Sequence, residues 1–130
     1  MALYDSSILI GYLEGEDEAV ELVKKHSDEA AITVPLVMFE VYQGEVFSPG
    51  EPEFDGLESA LSWLEVIDEK PAYAREAAEL QGCLSLSGNP LSARDVYIAG
   101  AASATGETLV ASDSDFDDDV LRDSVDVELV

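Results

Sequence analysis

The chain has 130 residues, of which 47% are hydrophobic, and it carries 29 Asp and Glu residues against 6 Lys and Arg residues, for a net charge of −23. This length fits a single compact domain, 1–130, and the apolar content excludes an intrinsically disordered acidic chain. An acidic surface repels itself in dilute buffer, and about 1 M salt shortens the Debye length to ~3 Å, so the composition favours a halophilic protein over an ordinary acidic one.

Strands and helices alternate along the first half of the chain. Ala2 to Tyr4 is predicted to be a short buried strand, and helical spacing begins at Ser6. A second helix is predicted over Asp17 to His26, followed by a strand over Ala31 to Val34. Pro35 suits the first turn of the next helix, which should run to about Phe47.

The second half continues this alternation after a loop. A loop is predicted over Ser48 to Phe54, followed by a helix over Asp55 to Trp63 and a strand over Leu64 to Ile67. A long helix is predicted from Pro71 to just before Ser87, and a further helix over Ser92 to Thr105. Strands over Thr108 to Ala111 and Val125 to Val130 complete the chain. The latter half of the acidic stretch Asp113 to Asp119 is expected to be a solvated turn. The pattern predicts an α/β fold with a parallel sheet covered on both faces.

Four acidic residues lie where the sequence is otherwise apolar. Asp5 ends the first predicted strand and Asp113 follows the strand ending at Ala111, which is the sheet edge where open α/β proteins form ligand sites. Asp95 and Glu40 fall on the apolar faces of two predicted helices, so both should point towards this edge. The face assigned to Glu40 also holds Leu36, Val37, Gly44 and Phe47.

Carboxylates crowded at one edge raise one another's pKa values and destabilise a fold unless a cation neutralises them. Lys and Arg are scarce around these four acids, so the sequence predicts a bound divalent ion. Oxygen ligands favour Mg²⁺ or Mn²⁺. Such an ion activates water and shields a phosphate oxygen, which is the chemistry of phosphodiester hydrolysis.

Each acid also has a purely structural interpretation. Asp5 could cap the first helix, and Asp95 could belong to a capping box begun by Ser92. Glu40 could be a charge on a helix surface, and Asp113 could stabilise a turn. These alternatives are open for each acid alone, but their coincidence at one sheet edge favours a site.

The few basic residues give no clear nucleic-acid footprint. Lys24, Lys25, Arg75 and Arg94 could form a small phosphate-binding patch, or they could be ordinary solubilising charges. His26 follows two lysines and is remote in sequence from every acid, so we expect it at the surface.

The segments that hold the acids resemble the PIN-domain family and, within it, VapC-type toxin ribonucleases. The resemblance covers almost the whole chain, and it lies in Leu3 to Ile10, in Val34-Pro35 followed by Glu40, in Gly88 to Ala99 with Asp95, and in Thr108 to Val110 leading to Asp113, Asp115 and Phe116. It implies a PIN-like three-layer α/β/α fold with a mainly parallel twisted sheet. It also implies that Asp5, Glu40, Asp95 and Asp113 coordinate Mg²⁺ or Mn²⁺.

The resemblance further implies a biological role. The chain would be an endoribonuclease, the toxin of a type II toxin–antitoxin pair, acting on RNA such as transfer or ribosomal RNA. A VapB-type antitoxin would neutralise it, and the chain would form a homodimer. Leu57, Leu61 and Trp63 are a candidate dimer surface, although they could equally be core.

Three further residues acquire candidate roles from the same resemblance. Asp115 matches an acid that assists at the metal through a water, or it stabilises a turn. Ser6 matches a hydroxyl residue near the metal, or it caps a helix. Where the family commonly has Thr before the fourth acid, this chain has Ala111 followed by Ser112, whose hydroxyl could compensate.

Other functions fit parts of the pattern. The main alternative is a noncatalytic PIN-like module that binds RNA or a protein. A phosphoacceptor receiver domain needs a lysine after a late strand, and no lysine follows Lys70. A flap-nuclease-like DNA enzyme needs large helical insertions, for which 130 residues leave no room.

The sequence also bears on the compartment. The N-terminal residues lack a basic region, Asp5 interrupts the apolar stretch, and no apolar run approaches the ~20 residues of a membrane span. The single cysteine, Cys83, cannot form an internal disulfide, which favours a reducing compartment, and we expect it in the core. The chain is therefore predicted to be cytoplasmic, with no membrane association.

The charge predicts salt-dependent folding. Circular dichroism should report a more stable fold in molar KCl than in dilute buffer, because salt screens the repulsion between surface carboxylates. Equal stability at both salt concentrations would exclude the halophilic interpretation.

Overall fold

Five parallel strands form one sheet in the computed structural model of this protein, which describes residues 1–130. The strands are β1 (Ala2–Tyr4), β2 (Ala31–Thr33), β3 (Leu64–Val66), β4 (Thr108–Ala111) and β5 (Val127–Leu129). They lie in the order β3-β2-β1-β4-β5, and every neighbouring pair is parallel. The predicted parallel sheet is confirmed, with β2, β3 and β5 shorter than expected.

Seven α-helices connect and flank the strands. They are α1 (Ser6–Leu13), α2 (Asp17–Lys25), α3 (Pro35–Phe47), α4 (Phe54–Ala60), α5 (Pro71–Leu86), α6 (Ala93–Thr105) and α7 (Asp119–Arg122). Prolines begin α3 and α5, where a missing N–H costs nothing, and Gly106 ends α6 in the left-handed conformation with φ 72°. None of these helices combines the length and the apolar character that crossing a membrane requires.

The acidic stretch after β4 is more ordered than the sequence predicted. A short 3-10 helix spans Ser114–Phe116, and the Asp118 carboxylate caps α7 by accepting hydrogen bonds from the N–H groups of Val120 and Leu121. Phe116 is fully buried between these acids. The sequence does not predict this helix cap, because a run of aspartates is equally typical of a solvated turn.

The path of the chain creates a switch point between β1 and β4. From β1 the chain moves outward through β2 to β3, then crosses back to β4 and continues outward to β5. Right-handed crossovers therefore place α1–α4 on one face and α5–α7 on the other. In agreement, α1 packs against α2 and α3, while α5 packs against α6 and α7. This is the predicted three-layer α/β/α arrangement.

The candidate dimer surface lies in the core instead. Leu57 and Leu61 are buried, and Trp63 packs edge-on against the rings of Tyr4 and Tyr12, with centroids 5.4 and 5.2 Å away. Leu57 and Leu61 therefore fit the alternative interpretation as core residues, and half-buried Trp63 packs against that core.

Two further expectations about single residues are wrong. Cys83 is exposed on α5 rather than buried. The His26 side chain is only 10% exposed, and its Nε2 lies 2.7 Å from Glu128 Oε2, on a strand 102 residues away. The hydrogen bond from Lys25 has the largest effect on the pKa of the Glu128 carboxyl, and it lowers that pKa. Burial raises the pKa, but the hydrogen bond with His26 lowers it again, so the net shift is downward. Sequence neighbours do not reveal a partner at this distance.

Helices α5 and α6 pack at backbone contact through Gly100. A Cβ atom added to Gly100 would lie 2.6 Å from the Ala77 backbone nitrogen and 2.7 Å from its Cα and Cβ. Such distances are closer than real Cβ contacts, and backbone atoms cannot rotate away. The glycine therefore sets how near α6, which carries Asp95, lies to α5.

The Gly100→Ala variant should be destabilised by at least about 1–3 kcal/mol, because the added methyl must push α5 and α6 apart. Urea unfolding at fixed KCl measures this change. Gly82→Ala on α5 is the matched control: a Cβ there meets nothing within 4 Å, so this variant should gain roughly 0.5–1 kcal/mol from helix propensity. Equal stability of the two variants would contradict the proposed backbone contact.

Candidate metal centre

The switch point places Asp5 and Asp113 beside each other in the fold. Tyr4 pairs with Val110 across β1 and β4, and the Asp5 N–H donates to the Val110 carbonyl oxygen at 3.0 Å. Asp5 is thus the first residue past the carboxyl end of β1, and it is 2% exposed. Asp113 follows β4 at the same edge, where adjacent crossovers diverge and ligand sites form.

Ser7 fixes the Asp5 carboxylate. Asp5 occupies the N-cap position of α1, yet its side chain makes no capping hydrogen bond. Instead, the Ser7 hydroxyl donates to Asp5 Oδ2 at 2.9 Å and accepts from the Ser112 N–H at 3.1 Å. Sequence reasoning missed Ser7, and its only signal was a serine two residues after the acid.

Helix α6 delivers two charged residues to this edge. The Ser92 hydroxyl caps α6 by accepting from the Asp95 N–H at 3.1 Å. The buried Asp95 carboxylate does not complete the capping box, because its Oδ1 binds Nη1 of Arg94 at 2.7 Å. The cap therefore positions the backbone while the side chain stays directed to the site.

Helix α3 supplies Glu40, although its predicted face is only partly correct. Val37 is buried, but Gly44 is exposed and Phe47 is 78% exposed. The Glu40 carboxylate is 27% exposed and accepts from Arg94 Nε through both oxygens, at 3.0 and 2.8 Å. Glu40 is thus held by a partner on another element instead of projecting as a free surface charge.

Arg94 binds three of the acids, which corrects the predictions that basic residues are scarce around them and that Arg94 is a surface charge. Its Nη2 donates to Asp5 Oδ1 at 2.6 Å, to Glu40 Oε1 at 2.5 Å and to the Ser6 hydroxyl at 2.8 Å. Basic residues are therefore not absent from the cluster, and Arg94 belongs to no surface patch. Lys25 and Arg75 pair with Glu128 and Glu79 as ordinary surface charges.

The protonation of Arg94 follows from these partners. Burial by itself lowers the pKa of the guanidinium, but the hydrogen bonds with Glu40, the charge of Asp5 and the bond with Asp95 outweigh it and raise the pKa above its ordinary value. Arg94 is a permanent cation that holds three carboxylates from three elements.

A second group of acids adjoins the first through Asp95. Carboxylate oxygens of Asp95, Asp113 and Asp115 all lie within 4.8 Å of one another, a separation that one metal ion can bridge. Asp113 also accepts from the Asp115 N–H at 2.9 Å, so it stabilises the turn as the structural interpretation proposed. The Ser112 side chain is exposed, and it is the Ser112 backbone N–H that binds Ser7.

The donor set suits a hard divalent cation. Arg94 pairs with Asp5, Glu40 and Asp95, while Asp113 and Asp115 adjoin Asp95 with no basic partner, so the negative charge of the five carboxylates is only partly balanced. All the candidate ligand atoms are oxygens, which Mg²⁺ and Mn²⁺ prefer. The acids that the sequence singled out form two groups that share Asp95: Asp5, Glu40 and Asp95 around Arg94, and Asp95, Asp113 and Asp115 within 4.8 Å of one another.

The fold and the cluster define a class: doubly wound α/β proteins with a cluster of acids at the carboxyl edge of the sheet. A family model described as "PIN domain" matches residues 2–119. The chain therefore belongs to the PIN-domain family. None of the curated proteins compared with it matches this chain.

Several solved structures share the fold over nearly the whole chain. VapBC2 from Rickettsia felis, bound to promoter DNA, is 20% identical with a TM-score of 0.78, covering 98% of this chain and 97% of its own. FitAcB from Neisseria gonorrhoeae is 18% identical with a TM-score of 0.81, covering 98% and 96%. DNA-bound VapBC from Salmonella typhimurium is 20% identical with a TM-score of 0.79, covering 98% and 96%.

Replacing Ser7 by alanine should loosen the site without unfolding the protein. The variant loses the hydrogen bond to the buried Asp5 carboxylate and leaves the Ser112 N–H without its partner, at a cost of about 1–2 kcal/mol. Ser59→Ala, at an exposed position of α4, is the control and should change stability little. Urea unfolding of both variants gives the comparison, and equal midpoints would mean that Ser7 does not fix Asp5.

Proposed function

We propose that this chain is a VapC-type toxin: an endoribonuclease in which Asp5, Glu40, Asp95 and Asp113 hold a divalent ion and Asp115 assists. The observation that carries the proposal is the convergence of these acids at the β1–β4 switch point of a PIN domain. Oxygens of Asp95, Asp113 and Asp115 lie within 4.8 Å of one another, and Arg94 joins Asp5 and Glu40 to Asp95.

The side chains of the proposed site have different roles. Mg²⁺ or Mn²⁺ held there would lower the pKa of a bound water and neutralise charge on the scissile phosphate. Asp95 belongs to both groups of acids, so it is the ligand that links them. Ser7 keeps one oxygen of Asp5 fixed, and the turn between Asp113 and Asp115 orients the outer acids. His26 binds Glu128 and takes no part.

The proposed substrate is single-stranded RNA, with loops of transfer or ribosomal RNA as candidate targets. A net charge of −23 opposes phosphate binding, so broad electrostatic attraction cannot supply the affinity. Recognition would instead use exposed loop bases and the contact between the ion and the phosphate. Molar salt weakens the repulsion, which makes the halophilic interpretation consistent with this substrate.

We also propose a VapB-type antitoxin as a protein partner, together with a homodimer. Two neighbours are named VapBC2 and VapBC, and another, from Klebsiella pneumoniae, is a toxin–antitoxin complex, which supports the antitoxin partner. Four large apolar side chains on α3 and at the start of α4 are exposed, and they offer apolar surface for protein contacts. They are Phe39, Val46, Phe47 and Phe54.

A noncatalytic PIN-like module is the second candidate, and two observations favour it. Arg94 already neutralises three of the acids, and Ala111 lacks the hydroxyl that commonly precedes the fourth acid. Such a module would bind RNA or a protein with no turnover. Cleavage assays across a Mg²⁺ titration separate the two candidates.

Asp95→Asn should abolish Mg²⁺-dependent cleavage of structured RNA, because it removes the carboxylate shared by both acid groups. Asp28→Asn is the matched control: Asp28 is exposed and precedes β2, at the opposite edge of the sheet, so this variant should cleave normally. Circular dichroism should give the same fold for both variants and the parent. RNA fragments are resolved by electrophoresis after metal addition.

The same pair of variants provides a test in cells. Expression of the parent chain and of Asp28→Asn should arrest growth, whereas Asp95→Asn should not, and a cognate VapB-type antitoxin should relieve the arrest. Undiminished cleavage or toxicity with pure Asp95→Asn protein would refute the nuclease assignment. Sequencing RNA ends after brief induction identifies the target.

A further inference from the structure

Arg94 uses all three nitrogens of its guanidinium on the acids at the metal centre. Nε donates to Glu40, Nη1 to Asp95, and Nη2 to Asp5, Glu40 and Ser6. No other basic residue is held in this way, since Arg75 and Lys24 are 84% and 69% exposed and meet single glutamates. The chain itself thus supplies a cation to the site.

This guanidinium engages the same oxygen atoms that an ion would need. Mg²⁺ requires ligands at about 2.0–2.1 Å in a nearly octahedral arrangement, and it usually keeps several waters as well. A planar fork bound to Asp5 Oδ1, both oxygens of Glu40 and Asp95 Oδ1 leaves those atoms turned towards Arg94. Two cations sharing these oxygens would also repel each other at short range.

We propose that Arg94 is a built-in counter-cation that neutralises Asp5, Glu40 and Asp95 in the metal-free protein and is displaced when a divalent ion binds. The inference rests on the proposed metal site. Arg94 thereby stabilises the empty cluster and sets a threshold of metal concentration for loading it. Asp113 and Asp115 stay outside its reach and give the incoming ion its first ligands.

The surroundings allow this exchange. The Arg94 side chain is 26% exposed, so its head can swing to solvent on a flexible stem without disrupting the core. Asp95, one residue further along α6, is held by the backbone cap of Ser92, so α6 itself does not need to move. The exchange therefore involves one side chain.

The test compares Mn²⁺ binding, measured by electron paramagnetic resonance at fixed KCl, in Arg94→Gln and Arg75→Gln. Both variants lose one positive charge, but only Arg94→Gln removes the cation that binds Asp5, Glu40 and Asp95. Arg94→Gln should bind Mn²⁺ at least about tenfold more tightly than the parent, because a cation no longer competes at close range. Arg75→Gln should match the parent. Equal or weaker binding by Arg94→Gln would overturn the inference.

Unfolding temperatures give an independent readout. Without metal, Arg94→Gln should melt below Arg75→Gln, and saturating Mn²⁺ should remove that difference. If Arg94→Gln does not fold, Arg94→Lys replaces it: a lysine cannot bind three carboxylates as a fork, so tighter Mn²⁺ binding is again expected. If Arg94→Gln still unfolds at a lower temperature than Arg75→Gln in saturating Mn²⁺, Arg94 has a structural role alone, and the proposal that the ion displaces it is overturned.

The parent protein offers a direct observation. The Arg94 Nε–H should give a protected signal in nitrogen-15 spectra, assigned by its loss in Arg94→Lys, and Mg²⁺ should shift or broaden it while leaving the signals of Arg75 and Arg122 unchanged. An unmoved signal at saturation overturns the inference but leaves the metal site intact. Absence of Mn²⁺ binding by both the parent and Arg94→Gln would overturn the metal site as well.

Discussion

Mutual repulsion among carboxylates is the constraint on which this structure depends. Asp5, Glu40 and Asp95 come from three elements, and Arg94 binds all of them at hydrogen-bond distance. Taking such charges out of water is costly unless each is paired and its remaining lone pairs are satisfied. The Ser7 hydroxyl donates to the second oxygen of the Asp5 carboxylate, and the Ser92 hydroxyl holds the Asp95 backbone N–H in place. The sheet edge can therefore hold a dense set of acids without an ion.

Strand order and helix packing determine where these acids lie. Because β1 and β4 are neighbours whose crossovers leave in opposite directions, their carboxyl ends lie at the switch point where open α/β sheets form ligand sites. Gly100 lets α6 approach α5 at backbone contact, which sets where Asp95 can reach. The site thus depends on packing far from the acids, as well as on the acids themselves.

Much of this was predictable from the sequence because the signals are local. Strand and helix periodicity predicted the five strands, and an acid at the end of an apolar strand predicted the positions of Asp5 and Asp113. What failed depends on partners distant in the chain. Arg94 and His26 were assigned to the surface, yet one binds Asp5 and the other Glu128. A polar residue's burial cannot be inferred when its partner lies across the fold.

The charge of the whole chain and the charge of the site act differently on the two ligands of the proposed function. A net charge of −23 attracts divalent cations and repels RNA, and both effects extend over the Debye length. At about 1 M salt that length falls to ~3 Å, so neither attraction nor repulsion reaches beyond direct contact. Selectivity must then come from atoms that touch the ligand. In the proposed site these atoms are the carboxylate oxygens of the five acids, and Arg94 competes with the ion for three of those acids, Asp5, Glu40 and Asp95.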